Sequence, residues 1–285
     1  HYRYLPLSWI QNKTAYYPDT RSRFQSIRAV PWSLSDCQCN HIHIILSLNM
    51  KLVELTEYSF DSKKTGRPFQ PFYFSMTPGD VVSILTDSAD DALNFLLALA
   101  TLIHPLQGEY RYKEIMLDFS NYRNLLDTKK NIGFITSHAA LISNLTVRQN
   151  LLLMNAYFTN SFTGQLDART QELCRLFSLR DKLEMKPADL TDHDYRFVVT
   201  VRELAKKPEM LIMEYPEKYI GITNLETLNR ILFDMLGGDV CFVFLSEYRY
   251  FIETFSTREL VISNGTLQEV AGGFKGPRID GTKGN

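Results

Sequence analysis

From Met50 onward the hydrophobic positions of the chain switch repeatedly between a period of two and a period near 3.6. The stretch Leu52-Val-Glu-Leu-Thr-Glu-Tyr-Ser-Phe60 alternates apolar and polar residues, as a half-buried strand does. Residues 72–74 and 81–85 read as further strands, the second running into a turn and then a helix over 92–102. A short strand follows at 132–136, and helical spacing recurs over 148–156, 168–177 and 195–206. The runs Met210-Leu-Ile-Met213 and Val240-Cys-Phe-Val-Phe-Leu245 are apolar throughout, the mark of strands covered on both faces. Between them lies a helix at 225–236. A helix at 251–257 and a strand at 259–263 close the series, with Asn264-Gly265 as a tight hairpin turn. Strands alternating with helices predict an α/β fold around a parallel core sheet.

The flanks differ from this core. Residues 1–49 begin at His1 and carry Arg3, Lys13, Arg21, Arg23 and Arg28 against Asp19 and Asp36. They show no sustained period before His41-Ile-His-Ile-Ile-Leu46, so they read as a poorly defined N-terminal extension, with Met50 a candidate natural start. The core domain then spans 50–271, and the glycine-rich 272–285 is expected to be a disordered tail. Within the extension, Cys37, Cys39, His41 and His43 fall on one face of an extended strand. Zinc sites use wider spacings than alternate residues, so no metal is expected there.

Composition narrows the functional classes. The 285 residues carry a formal net charge of -1, which implies no bulk attraction to nucleic acid or to an anionic membrane. Four scattered cysteines (Cys37, Cys39, Cys174, Cys241) do not make a disulfide framework and suit a reducing cytosol. No apolar run approaches the roughly 20 residues needed to span a bilayer. A membrane link, if present, is expected to come through a partner.

The candidate chemistry lies in a series of segments. Pro78-Gly-Asp-Val-Val-Ser-Ile-Leu85 leads through Thr86-Asp-Ser-Ala-Asp-Asp-Ala-Leu93 into a helix and then Pro105-Leu-Gln-Gly-Glu109. Ile132-Gly-Phe-Ile-Thr-Ser-His-Ala-Ala-Leu-Ile-Ser-Asn-Leu-Thr-Val-Arg-Gln-Asn150 follows, then Leu190-Thr-Asp-His-Asp194 and Val198-Val-Thr-Val-Arg-Glu-Leu-Ala-Lys-Lys-Pro208. Met210-Leu-Ile-Met-Glu-Tyr-Pro216 completes the order. In sequence and spacing, residues 50–270 resemble the nucleotide-binding domain of ABC transporters. The segment 139–147 is also similar to the ATPase subunits of mammalian-cell-entry-type lipid transporters. The resemblance implies a P-loop NTPase-like ABC ATPase fold with a parallel core sheet, an antiparallel β subdomain and a helical subdomain over about 137–200.

The same resemblance shows where this chain departs from the family. The family's phosphate loop, G-x-x-G-x-G-K-S/T, gathers backbone amides and a lysine on the phosphates and a hydroxyl on Mg²⁺. Here every glycine is replaced across Thr86, Asp87, Ser88, Ala89, Asp90 and Asp91. Ala92 stands at the lysine position and Leu93 at the hydroxyl position. At about 4 Å and an effective dielectric of about 20, each carboxylate–phosphate pair costs on the order of 4 kcal/mol. Asp90 and Asp91 are instead expected to cap the helix that follows.

Ser137 replaces the glutamine that senses metal and attacking water. The signature "LSGGQ" becomes Leu190, Thr191, Asp192, His193 and Asp194. Glu214 stands at the Mg²⁺-associated aspartate, Tyr215 at the catalytic base and Ser246 at the γ-phosphate histidine. A phenol is a poor base at neutral pH. Gly221 falls where the cross-dimer aspartate belongs, and Ser62, beside Phe60, near the adenine-stacking aromatic. His104, His138 and His193 have no evident catalytic partner in the sequence.

What the resemblance implies is a subunit that has lost ATP binding and hydrolysis, needs no cofactor, and docks on a membrane permease through Ala139, Leu141, Asn144 and Leu145. It would be cytoplasmic and peripheral to the membrane. A homodimer is possible and nucleic acid is not expected. The alternatives are an atypical nucleotide hydrolase that binds ATP and Mg²⁺ through Asp90, Asp91 and Glu214, and a free-standing soluble regulator.

Overall fold

The computed structural model describes residues 50–61, 68–153, 156–157 and 164–270, all within the second of the chain's two units, Ser47–Asn285. The expectations for residues 1–49 with their Cys/His cluster, for Ser62 and for the tail fall outside the described residues.

Strands β1 (Val53–Ser59), β2 (Phe72–Met76), β4 (Gln107–Tyr112) and β5 (Ile115–Met116) form an antiparallel sheet in the order β2-β1-β4-β5. The larger sheet contains β3 (Val81–Thr86), β6 (Ile132–Ile135), β7 (Met210–Glu214), β8 (Cys241–Leu245), β9 (Arg258–Ser263) and β10 (Thr266–Glu269). Its order is β10-β9-β3-β8-β7-β6. Every neighbouring pair is parallel except the hairpin of β9 and β10. At that hairpin Ser263 pairs with Thr266, and both Asn264 and Gly265 take positive φ, 51° and 72°, as a two-residue turn demands.

The apolar runs are explained by burial on both faces. Phe242 and Phe244 of β8 point into one core cluster with Leu211 and Met213 of β7; Cys241, Val243 and Leu245 point into the other with Met210 and Ile212. The second cluster joins the two sheets through Leu55, Phe74 and the helix α1 (Ala89–Leu99), whose Phe95 packs edge-on to Phe74. Arg258 ties the sheets by hydrogen bonds as well. Its Nη1 donates to the Ser75 carbonyl of β2 and to Asp80, each at 2.8 Å, while Nε and Nη2 reach Glu269 of β10.

The first cluster is roofed by helices. After the short α2 (Leu126–Lys129) come α3 (Val147–Leu151), α4 (Ala168–Leu176) and α5 (Asp192–Ala205). Then follow α6 (Pro216–Ile220), α7 (Leu225–Leu236) and α8 (Arg249–Phe255). Leu225, Leu228, Ile231, Leu232 and Met235 form the buried stripe of α7.

Three features depart from expectation. Helices α1 and α5 each begin three residues before their expected starts at 92 and 195, because Ser88 and Thr191 cap them in extended backbone. Polar first turns such as these escape a search for apolar periods. The helix expected over 148–156 is interrupted, α3 ending at Leu151 with Leu152 as its C-cap. Strand β4 and helix α6 were not anticipated.

Candidate functional site

Parallel pairing brings the carboxyl ends of β3, β8 and β7 side by side, with Ile84 and Glu214 both opposite Leu245. In open α/β sheets ligands bind in the crevice outside such ends. Here the crevice is a cavity of about 500 Å³ bordered by Thr86, Tyr215, Ser246, Glu247, Arg249 and Glu259.

Only Asp87 and Ser88 separate β3 from α1. Thr86 Oγ1 donates to the Ser88 carbonyl at 2.8 Å and accepts from the Ser88 amide at 2.9 Å, closing the turn. The Ser88 hydroxyl then accepts from the Asp91 amide at 3.3 Å. The cap is therefore Ser88, and Asp90 and Asp91 occupy the first turn of α1 instead of capping it. The N-cap place belongs to the residue in extended backbone just before the helix, and here that is Ser88. Asp87 accepts from Ser263 Oγ at 2.9 Å, across on β9. Asp91 is buried, Leu93 half-buried and Ala89 exposed, while Ala92 is 0 % exposed. Phe60, near the expected adenine platform, stacks on Phe69 at 4.7 Å inside the core.

At the end of β7 the structure brings Ser137 and Glu214 together. Glu214 Oε2 accepts from Thr136 Oγ1 at 2.6 Å, Ser137 Oγ at 2.8 Å and the Ser137 amide at 3.0 Å. Tyr215 follows in left-handed backbone (φ 45°, ψ 62°) as the cap of α6. Burial pushes its phenol above the ordinary range, with Lys218 opposing from 3.9 Å over the ring. Ser246 is held by Glu217, which accepts from Ser246 Oγ at 2.9 Å and from the Glu247 amide at 3.0 Å. Glu217 was missed in the sequence; its only signal is its place after Pro216 in a short first turn. Among the described residues no three His, Cys, Asp or Glu side chains gather as a metal group. Asp90 and Asp91 lie beyond β3, and β8 separates that strand from β7 and Glu214. Among the described residues, Asp90, Asp91 and Glu214 therefore do not make up such a group.

The signature position is a helix start. Thr191 caps α5, accepting from the Asp194 amide at 3.2 Å and donating to Asp194 Oδ2 at 2.7 Å, while Lys182 donates to Asp194 Oδ1. Leu190 packs against the core, and Asp192 and His193 are exposed. The His193 ring lies 3.4 Å from where a Cβ on Gly221 would stand. Burial of Asp194 works against its ionisation, but the bonds from Lys182 and Thr191 outweigh it and hold the carboxyl below its ordinary value. A lowered folded pKa contributes stability above the unfolded value, about 3.9 for Asp, and that stability is lost as pH falls through the folded value. Asp194→Asn is therefore expected to lower stability at pH 7 and to flatten its loss in acid, measured by urea denaturation across pH.

The chain matches no protein-family model. It is 26% identical over 165 residues to the lipoprotein-releasing system ATP-binding protein LolD of Bacteroides thetaiotaomicron, covering 55% of this chain and 72% of that protein. It is 25% identical over 211 residues to the second such protein of Chlorobaculum tepidum, covering 70% and 82%. Among solved structures, the dimeric post-hydrolysis state of an ATP-binding cassette with ADP and phosphate matches with a TM-score of 0.65. That match has 18% identity and covers 77% of this chain and 99% of that one. The chain has the fold of an ATP-binding cassette and is similar in sequence to ABC transporter ATP-binding proteins.

In this cassette the segment after β6 is fixed from within. The Leu141 amide donates to the Tyr195 hydroxyl at 2.7 Å, and Arg202 Nη1 to the Ala140 carbonyl at 2.9 Å. Asn150, fully buried, accepts from the Ile142 amide at 2.8 Å and donates to the carbonyls of Ile142, Leu145 and Thr146. Leu141 is consequently a core residue and not part of an accessible face, whereas Asn144 is exposed and Leu145 half-buried. Ala139 borders a groove of about 380 Å³ with Leu97, Leu102, Phe134, His138 and Arg202. Leu102 is 50 % exposed there. Among the described residues of the cassette no helix is long and apolar enough to cross a membrane.

Proposed function

We propose that this cassette is an ABC-type transporter subunit that has lost ATP binding and hydrolysis and serves a structural or regulatory role, docked on a membrane permease. The observation that carries the reading is the phosphate-loop position. Thr86 and Ser88 close a two-residue connection there, and Ala92 is fully buried where the family places its lysine. A triphosphate needs convergent free amides and a basic side chain; this turn offers neither and adds Asp87, Asp90 and Asp91. The Tyr215 phenol, raised by burial, gives no base for water at neutral pH.

Because the phosphate-loop and signature positions are both replaced, pairing with an active subunit in the family's head-to-tail manner would leave neither composite site whole. That favours a docking role over a share in hydrolysis. The relatives' names, ATP-binding proteins of import or release systems, support a transport setting; the reading adds the cytoplasmic face of a membrane, reached through a permease. The groove lined by Leu97, Leu102 and Phe134 is the surface the reading assigns to that partner. Isothermal titration of the full chain with MgATP is expected to give no saturable heat into the millimolar range. Micromolar binding would overturn the reading.

A further inference from the structure

A second cavity, of about 460 Å³, opens between the end of β7, the turn after β6 and the helices α5 and α6. It lies apart from the phosphate-loop turn, none of whose residues borders it. Its volume is typical of small-ligand pockets, roughly 300–1,000 Å³. Three aromatic walls, Tyr195, Tyr215 and Tyr219, enclose it, and its charged groups balance: Asp192 and Glu214 against Arg196 and Lys218.

Several of these groups are unspent. Glu214 is only 7 % exposed, yet its three donors all reach Oε2; no protein donor among the described residues reaches Oε1. The Tyr219 hydroxyl is buried with no partner. The Tyr195 oxygen accepts the Leu141 amide and keeps its own proton to give. Arg196 donates from Nη1 to the Lys218 carbonyl at 3.0 Å and lies 5.7 Å from the Tyr219 ring centroid. Its Nε and Nη2 have no protein acceptor among the described residues. Lys218, by contrast, is engaged by Glu247 at 2.8 Å and by the Tyr215 ring.

A buried carboxylate oxygen without a donor is unfavourable, and an ammonium group supplies one. The free edge of a guanidinium suits a carboxylate, which it can bind through two parallel hydrogen bonds. A lining of balanced charge suits a ligand of no net charge. We infer that this cavity binds a zwitterionic small molecule of the α-amino-acid class. Its ammonium sits on Glu214 Oε1, its carboxylate on Arg196, and an aromatic or large apolar side chain among the tyrosines. The inference rests on the reading that Glu214 and Tyr215 no longer serve Mg²⁺ and ATP, which the separate MgATP titration tests on its own.

The test is calorimetry of the full chain with L-phenylalanine, phenethylamine and 3-phenylpropionate. The last two lack the carboxylate and the amine respectively. L-phenylalanine is expected to bind saturably with a Kd below about 1 mM, and each truncated probe at least about 10-fold more weakly. Arg196→Gln is expected to weaken L-phenylalanine by about 10-fold or more while leaving phenethylamine unchanged. Tyr219→Phe, which removes only the orphan hydroxyl, should weaken it several-fold and serves as the second variant if Arg196→Gln fails to fold. No saturable binding of L-phenylalanine up to about 10 mM, equal binding of the three probes, or binding indifferent to both substitutions would overturn the proposal.

Discussion

Replacing Ala92 by lysine is expected to destabilise the chain by about 4 kcal/mol and to create no MgATP binding. Ala92 is fully buried in the cluster that joins α1 to β3 and to the antiparallel sheet. A lysine there adds methylenes to a filled core and brings a charge with no partner inside, and both effects oppose folding. The aliphatic stem can relieve part of this by leading the ammonium outward, so urea denaturation should show a large but finite loss. Calorimetry on the same variant decides the functional half. A stable Ala92→Lys protein with micromolar affinity for MgATP would mean that the turn at 86–93 can still receive phosphate once the lysine is restored, so that the missing lysine and not the closed turn accounts for the loss.

Gly108→Ala is expected to cost about 4 kcal/mol, whereas Gly79→Ala, at nearly the same backbone angle, costs about 1 kcal/mol. The two glycines have φ of 86° and 85°. They differ in what surrounds them. A Cβ on Gly108 would stand 2.3 Å from the Glu57 carbonyl oxygen and 2.5 Å from that of Thr56, where the pairing of β4 with β1 shifts register. Around Gly79 the nearest atom is Asp239 Oδ1 at 3.9 Å. Two backbone carbonyls cannot move aside without breaking the β1–β4 ladder. Thermal or urea unfolding of the two variants compares them directly; equal losses would show that the bulge yields easily.

How far the fold was legible follows from where its determinants lie along the chain. Helix α7 runs over Leu225–Leu236, as its apolar spacing indicates, because its buried stripe is local and nothing competes with it. The Asn264-Gly265 turn is equally local. By contrast β4 was hidden. Gln107-Gly-Glu-Tyr-Arg-Tyr112 reads as a turn followed by mixed polarity, and only pairing with β1, some fifty residues earlier, makes it a strand and buries Tyr110 and Tyr112. The starts of α1 and α5 were hidden for another reason, since a serine or threonine cap announces a helix through one hydroxyl and not through a period.

The site shows the same division. Motif spacing located Ser137, Glu214, Tyr215 and Ser246 near one another. Which of them bond was not readable, because Glu214 binds Thr136 and Ser137 across 77–78 positions of sequence. Leu141 was misassigned to a surface because an apolar residue in a loop looks exposed until Tyr195, on another helix, is seen to hold its backbone. Glu217 carried no pattern at all, and its bonds to Ser246 and Glu247 exist only once β8 lies beside β7.

The clasp on Glu214 has a mechanical consequence. The turn at 136–137 cannot shift without breaking three hydrogen bonds at once, each to a charged acceptor and worth about 1.5–3 kcal/mol. Two residues further on, Ala139 forms one wall of the groove shared with Leu102 and Phe134. That wall therefore takes its position from the sheet itself. Whatever enters the groove meets a socket of constant outline, insensitive to what does or does not sit at the strand ends. In the proposed docking role, such a subunit would lend its partner a stiff footing and no stroke.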